Sequence, residues 1–278
     1  MQQRLHNKVA IVTGIGNGIG KACALMFAAQ GAQVMGCDIV TKLAEQTQAQ
    51  AQQQGLEISI ATCDLTQPEQ VQALVAATVA KFGRIDVLVN AAAFAHFHPI
   101  EELSYQHWKQ TLVGELDIVF LLCKEAWQAL KQQGGSIINF ASANAWMALE
   151  GSPALAHCAG KGGILAMTRQ LAMEGGAFQI RANTISPGLI ETAATQAHMQ
   201  EDPAFKQKAL SKQILRQRIG QPKDIAWAAV YLASDESTWV TAGISERATL
   251  SLSMPNSASS AAVMVRRRSR RTSATISM

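Results

Sequence analysis

Apolar and polar positions along the first 240 residues follow two rhythms. Val9–Val12 is a short run of mostly branched apolar residues followed by glycines, and it reads as a parallel strand buried on both faces. From Gly18 to Gln30, Ile19, Cys23, Met26 and Phe27 recur at helical spacing. The same rhythms predict strands at Gln33–Cys37, Glu57–Thr62, Asp86–Val89, Ser136–Phe140 and Ile180–Ile185. They predict helices at Lys42–Gln54, Pro68–Phe82, His157–Glu174 and Asp224–Ala233, with one or two helices across Trp108–Lys131. Strands alternating with helices at this pace predict an α/β fold: a single Rossmann-type, doubly wound parallel sheet with helices on both faces. No internal repeat at a solenoid period is visible.

The segment Leu189 to Arg218 is less regular, with Pro203 and many Lys, Gln and Arg residues. It follows a strand, and doubly wound folds bind ligands outside the carboxyl ends of their strands. It reads either as a substrate cover or as a solvated helical hairpin. Beyond Ala242 the pattern weakens. Ala248, Leu250, Leu252 and Met254 alternate, so 242–255 is an atypical segment with a possible edge strand. Residues 256–278 are Ser, Ala and Arg without aromatics, and a disordered tail is expected.

Composition refines this picture at three points. With 48% hydrophobic and 16% charged residues, the 278-residue chain can bury a substantial core in one large domain. Its net charge of +4 comes from five tail arginines, Arg266, Arg267, Arg268, Arg270 and Arg271; without them −1 remains. No nucleic-acid partner is therefore expected of the globular part, and a nucleic-acid or anionic-membrane role rests on the tail alone. No apolar run approaches the roughly 20 residues of a membrane helix, and Met1 to Lys8 is polar, so no membrane association and a cytoplasmic location are expected. The five cysteines are scattered singly and read as reduced, mostly buried thiols.

The strongest chemical signal is Thr13-Gly14-Ile15-Gly16-Asn17-Gly18-Ile19-Gly20, between a predicted strand and a predicted helix. Glycines permit a tight turn and close backbone approach to a pyrophosphate, and the following helix offers it free N–H groups. Asp38 ends the second strand, where a carboxylate accepts both ribose hydroxyls of NAD and repels a 2′-phosphate. NAD is favoured over NADP.

On these residues the chain resembles the short-chain dehydrogenase/reductase family, from about Lys8 to Thr241. The glycine loop has that family's spacing, and Asp64, beside Leu65, matches its adenine-side aspartate. Asn90-Ala91-Ala92-Ala93 stands where the family usually has Asn-Asn-Ala-Gly. Ser142 matches its catalytic serine and Lys161 its catalytic lysine. Pro187-Gly188, with Ile190 and Thr192, resembles the segment that holds the nicotinamide carboxamide. The resemblance implies one oxidoreductase domain over 1–241, with 189–218 as substrate cover. It also implies hydride transfer between nicotinamide and an alcohol or carbonyl compound, and a homo-oligomer (dimer or tetramer) if the altered C-terminus permits. The family's usual Asp-Gly-Gly ending is missing, which suggests a frameshifted or fused end.

The pattern breaks at the proton-transfer position. The family's tyrosine stands four residues before the lysine, and here that residue is His157. Glu115 replaces the asparagine that anchors a relay water. One reading makes His157 the acid/base, with Glu115 pairing with Lys161 or orienting the ring. The other is a dinucleotide-binding sensor or partner subunit with impaired catalysis. His96 and His98, after the fourth strand, are candidate substrate contacts; no cysteine or acid cluster accompanies them, so no metal is expected. Trp146, Met147 and Leu149 are candidate pocket walls.

Overall fold

A computed structural model describes residues 3–148, 153–201, 207, 210 and 218–245. Seven strands form one sheet: β1 (Val9–Thr13), β2 (Gln33–Asp38), β3 (Ile58–Thr62), β4 (Val87–Asn90), β5 (Gly135–Phe140), β6 (Ile180–Ile185) and β7 (Ile244–Ser245). Their order is β3-β2-β1-β4-β5-β6-β7, and every pairing is parallel. β1 lies at the switch point, with Ile11 opposite Met35 on one side and Leu88 on the other. All five β1 residues are buried, as a strand covered on both faces requires.

Helices cover both faces. On one, α1 (Gly18–Ala29) packs beside α8 (Pro222–Ala233), and Phe27, Val12, Ile185 and Val230 share a core. On the other, α3 (Pro68–Phe82), α5 (Ile118–Lys131) and α6 (Leu155–Gly175) enclose Ile11, Leu88, Leu122, Ile137 and Ile164. The polar α2 (Thr41–Gln53) buries Ala44, Thr47 and Ala51, and Thr47 Oγ1 donates to Ile15 O at 2.8 Å, docking the helix beneath the glycine loop. α4 (Tyr105–Leu112) runs into α5 through a π-helical turn, Val113–Asp117. The doubly wound parallel architecture read from the sequence is therefore present.

The differences are local. The Trp108–Lys131 stretch begins earlier, at Tyr105, where Ser104 caps α4 by accepting from the His107 amide at 3.1 Å. The edge strand precedes the alternating residues: Ile244 and Ser245 pair with Thr184 and Ile185, while 246–278 lie outside the described residues. α7 (Ala193–Glu201) opens the expected cover segment; much of the rest, like Leu149, also lies outside the described residues. Among the described residues no helix is long and apolar enough to cross a membrane.

Phe27 is fully buried between α1 and the sheet. Phe27→Ala should destabilise the fold by about 3–5 kcal/mol, through lost burial and a residual cavity. Urea unfolding at unchanged m-value measures this; a loss below about 1 kcal/mol would contradict this packing.

Candidate active site

At the β1–β4 switch point the chain backbones nearly touch. The Gly14 and Ile15 amides donate to Cys37 O at 2.9 and 3.2 Å. The Ala91 and Ala92 amides donate to Thr13 Oγ1 at 3.0 and 2.9 Å, closing the strand ends together. Gly14 has φ +68°, and a Cβ there would lie 2.9 Å from Ala92 Cα. At Gly20 a Cβ would fall 2.2 Å from Gly14 O. Asn17 precedes α1 without a side-chain cap, and the first turn carries no acid. The helix's free N–H groups and positive dipole end therefore face the loop, which fits an anionic pyrophosphate.

Asp38 flanks this cradle. Its Oδ2 accepts from Gly16 N at 2.8 Å and its Oδ1 from Val40 N at 2.9 Å, which fixes the carboxylate at the end of β2. Asp64 is held by the Thr66 amide (2.9 Å) and hydroxyl (2.7 Å), and these bonds lower its pKa. Leu65 is buried beside it. Asn90 turns its side chain into the protein, donating to Asn139 Oδ1 at 2.8 Å, and Asn139 donates to Thr168 Oγ1 at 2.8 Å. It ties β4 to β5 and α6. Pro187 and Gly188 are half-buried after β6, and Ile190 is buried and bridges to Gly220. Thr192 reaches the glycine loop, where its Cγ2 would meet a Gly18 Cβ at 3.2 Å. Ile19 packs partly buried against the core beneath.

The residues expected at the proton-transfer end converge on Glu115. The π-helical turn carries this carboxylate inward, where it is 2% exposed. Its Oε1 lies 2.6 Å from His157 Nδ1 and 3.8 Å from Lys161 Nζ. Lys161 donates to Phe140 O at 3.1 Å. Burial pushes the Lys161 pKa down, and the Glu115 charge partly offsets that shift. Glu115 Oε2 is sealed from solvent and lacks a hydrogen-bond partner among the described residues. It abuts Gly160, where a Cβ would lie 2.8 Å away. Ser142 stands at the end of β5, and its Oγ accepts from Asn144 N at 3.2 Å.

Two residues absent from the sequence reading belong here. Gly160 provides the space for Glu115, and its sequence signal was the small-residue run before Lys161. Phe97 packs its ring 5.2 Å from His157, tilted by 49°. Trp146 Nε1 donates to Ser186 Oγ at 3.1 Å, which links the segment after Ser142 to the end of β6.

Comparison with known proteins gives the same picture. Residues 14–245 match the family model described as enoyl-(acyl carrier protein) reductase. The chain is 40% identical over 239 residues to D-threitol dehydrogenase of Mycolicibacterium smegmatis, covering 85% of this chain and 90% of that protein. It is 36% identical over 241 residues to L-fucose dehydrogenase of Oryctolagus cuniculus, covering 84% and 81%. Among solved structures, 7α-hydroxysteroid dehydrogenase complexed with NADH and 7-oxo glycochenodeoxycholic acid superposes with a TM-score of 0.82 at 31% identity, covering 87% of this chain and 94% of that one.

The crowding at Gly160 is testable. A mid-helix Gly→Ala change ordinarily stabilises by roughly 0.5–1 kcal/mol. Gly160→Ala should instead destabilise by about 1–3 kcal/mol, because its methyl group displaces the Glu115 carboxylate. A gain in urea resistance would show that Glu115 has room to spare.

Proposed function

Because the chain belongs to the short-chain dehydrogenase/reductase family of oxidoreductases, whose members bind NAD(P), we propose that it transfers a hydride between NAD and an alcohol or carbonyl compound, with a His157–Glu115 pair moving the proton. The observation that carries this reading is the 2.6 Å contact between His157 Nδ1 and the buried Glu115 carboxylate. A carboxylate accepting Nδ1–H fixes the ring's tautomer and leaves Nε2 with its lone pair. Nε2 then takes the hydroxyl proton of an alcohol during oxidation, or returns it to a carbonyl oxygen during reduction. Glu115 stabilises the imidazolium that results.

The other residues position and polarise. The Ser142 hydroxyl hydrogen-bonds the substrate oxygen. Lys161, anchored on Phe140 O, holds the cofactor ribose and shares the Glu115 charge. Thr13, Gly14, Asn17, Gly18, Ile19 and Gly20 form the pyrophosphate cradle. Asp38 receives the adenosine ribose, and Asp64 with Leu65 borders the adenine. Ala91, Pro187, Gly188, Ile190 and Thr192 line the nicotinamide side, and Asn90 supports it from the core through its bond to Asn139. When bound, the nicotinamide supplies hydride donation or acceptance. The curated relatives named for D-threitol and L-fucose make polyhydroxylated alcohols the first compounds to try.

Turnover should be followed by NADH absorbance across a panel of polyols, sugars and secondary alcohols. His157→Ala should lower kcat by about 10²–10⁴-fold while NADH still binds. Glu115→Gln should cost at least about tenfold. Unchanged turnover in His157→Ala would eliminate the proton-carrier role. Tight NADH binding by the wild type with no turnover on the whole panel would instead favour a dinucleotide sensor.

Asp38 carries a separate expectation. Asp38→Ala should shift the kcat/KM ratio of NAD to NADP toward NADP by at least about tenfold, since it removes a charge that repels a 2′-phosphate. An unchanged ratio would place cofactor selection elsewhere.

A further inference from the structure

We infer that His96, His98 and His107 form a binding site for one divalent transition ion of the zinc, nickel or cobalt kind. His96 and His98 lie in the segment after β4, and His107 lies in the first turn of α4. One ring nitrogen from each falls within 4.8 Å of the others. The ring centroids are 4.1 Å apart for His96–His107, 4.9 Å for His98–His107 and 6.3 Å for His96–His98.

The backbone explains the convergence. In extended chain, alternate residues share a face. His96 and His98 therefore turn together toward α4, while Phe97 between them turns the other way and packs on His157. The segment is pinned at its base, where the His96 amide donates to Thr111 Oγ1 at 3.0 Å and the Phe94 amide to Gly114 O at 3.2 Å. The Ser104 cap holds the His107 backbone.

A second observation points to a ligand. His107 Nδ1 is closed off from solvent and has no hydrogen-bond partner among the described residues. An ion bound among the three rings would give that sealed nitrogen the partner it lacks. The three rings are half-exposed, which leaves an entry path.

The donor set selects the ion. Three nitrogens without a carboxylate suit zinc, nickel, cobalt or copper, and not the oxygen-seeking magnesium or calcium. A tetrahedral zinc with bonds of about 2.0–2.1 Å needs its nitrogens about 3.4 Å apart and in line with each ring plane, so the rings, stacked within 11–18° of parallel, must turn as they draw in by up to about 1.4 Å. Three protein ligands leave a fourth position open. The bound ion would staple the loop after β4 onto α4 and hold Phe97 against His157. The site itself does not depend on the catalytic reading of His157.

Untagged full-length protein, stripped with chelator, should bind one equivalent of Ni2+ or Zn2+ by titration calorimetry. At about a hundredfold excess over Kd the ion should raise Tm by roughly 5 °C. His107→Gln should abolish both effects while NADH still binds. In the wild type, Zn2+ should shift three of the six histidine ring signals in the NMR spectrum, a reading that needs no variant. No binding by the wild type overturns the proposal. So does unchanged binding in the His96→Gln/His98→Gln/His107→Gln variant, or zinc shifts confined to other histidines.

Discussion

A carboxylate removed from water costs several kcal/mol unless its charge is met, and the centre of this protein is organised around meeting one. Glu115 is 2% exposed. Its Oε1 is met by both His157 and Lys161. Each condition for that arrangement is supplied by a different element. The π-helical turn aims Glu115 inward, and Gly160 leaves its side of α6 bare. The carbonyl of Phe140, at the end of β5, holds Lys161 in place. π-turns tend to occur where a helix must present a side chain out of its regular phase. Here the turn serves a charge rather than the core.

This dependence joins the site to the sheet. Phe140 is the last residue of β5, and Asn90 and Asn139 couple β4 to β5 through a buried hydrogen bond that continues to Thr168 on α6. The strand that sets Ser142 and the helix that sets His157 and Lys161 are therefore tied at the same level. Movement of α6 along β5 would break that polar chain in the interior, where an unmet amide is costly. The spacing between the serine and the histidine–lysine pair thus rests on a core network as well as on the loop between them.

The fold was legible because strand burial and helix amphipathicity leave a local trace. Pro68–Phe82 and Ile180–Ile185 are bounded in the structure as their pattern suggested. The start of α6 was missed by two residues, since Ala154 offers no capping side chain to mark it. The π-turn was not legible, because one extra residue per turn barely alters apolar spacing over five positions. His96 and His98 were visible as a pair, but His107 joins them only through packing of α4 on the loop. Ile244 and Ser245 carry no alternation of their own; β6 recruits them by backbone pairing, held nearby by the Gly243 amide donating to Asn183 Oδ1 at 3.1 Å.

The two halves of the site differ in what they are made of. The dinucleotide cradle is mostly backbone: Gly14 against Ala92, Gly20 against Gly14 O, and amides gathered on Thr13 and Cys37 O. A side chain added at Gly14 or Gly20 would collide with main chain, so the loop tolerates little change without refolding the switch point. The half around Glu115 is side chain against side chain, on helices whose backbones are satisfied without it. Replacing one residue there takes from its partner a contact that no backbone group supplies. An imidazole at 157 calls for an acceptor for Nδ1–H, and a buried carboxylate at 115 calls for a cation or donor. The 2.6 Å contact between them is the physical form of that joint requirement.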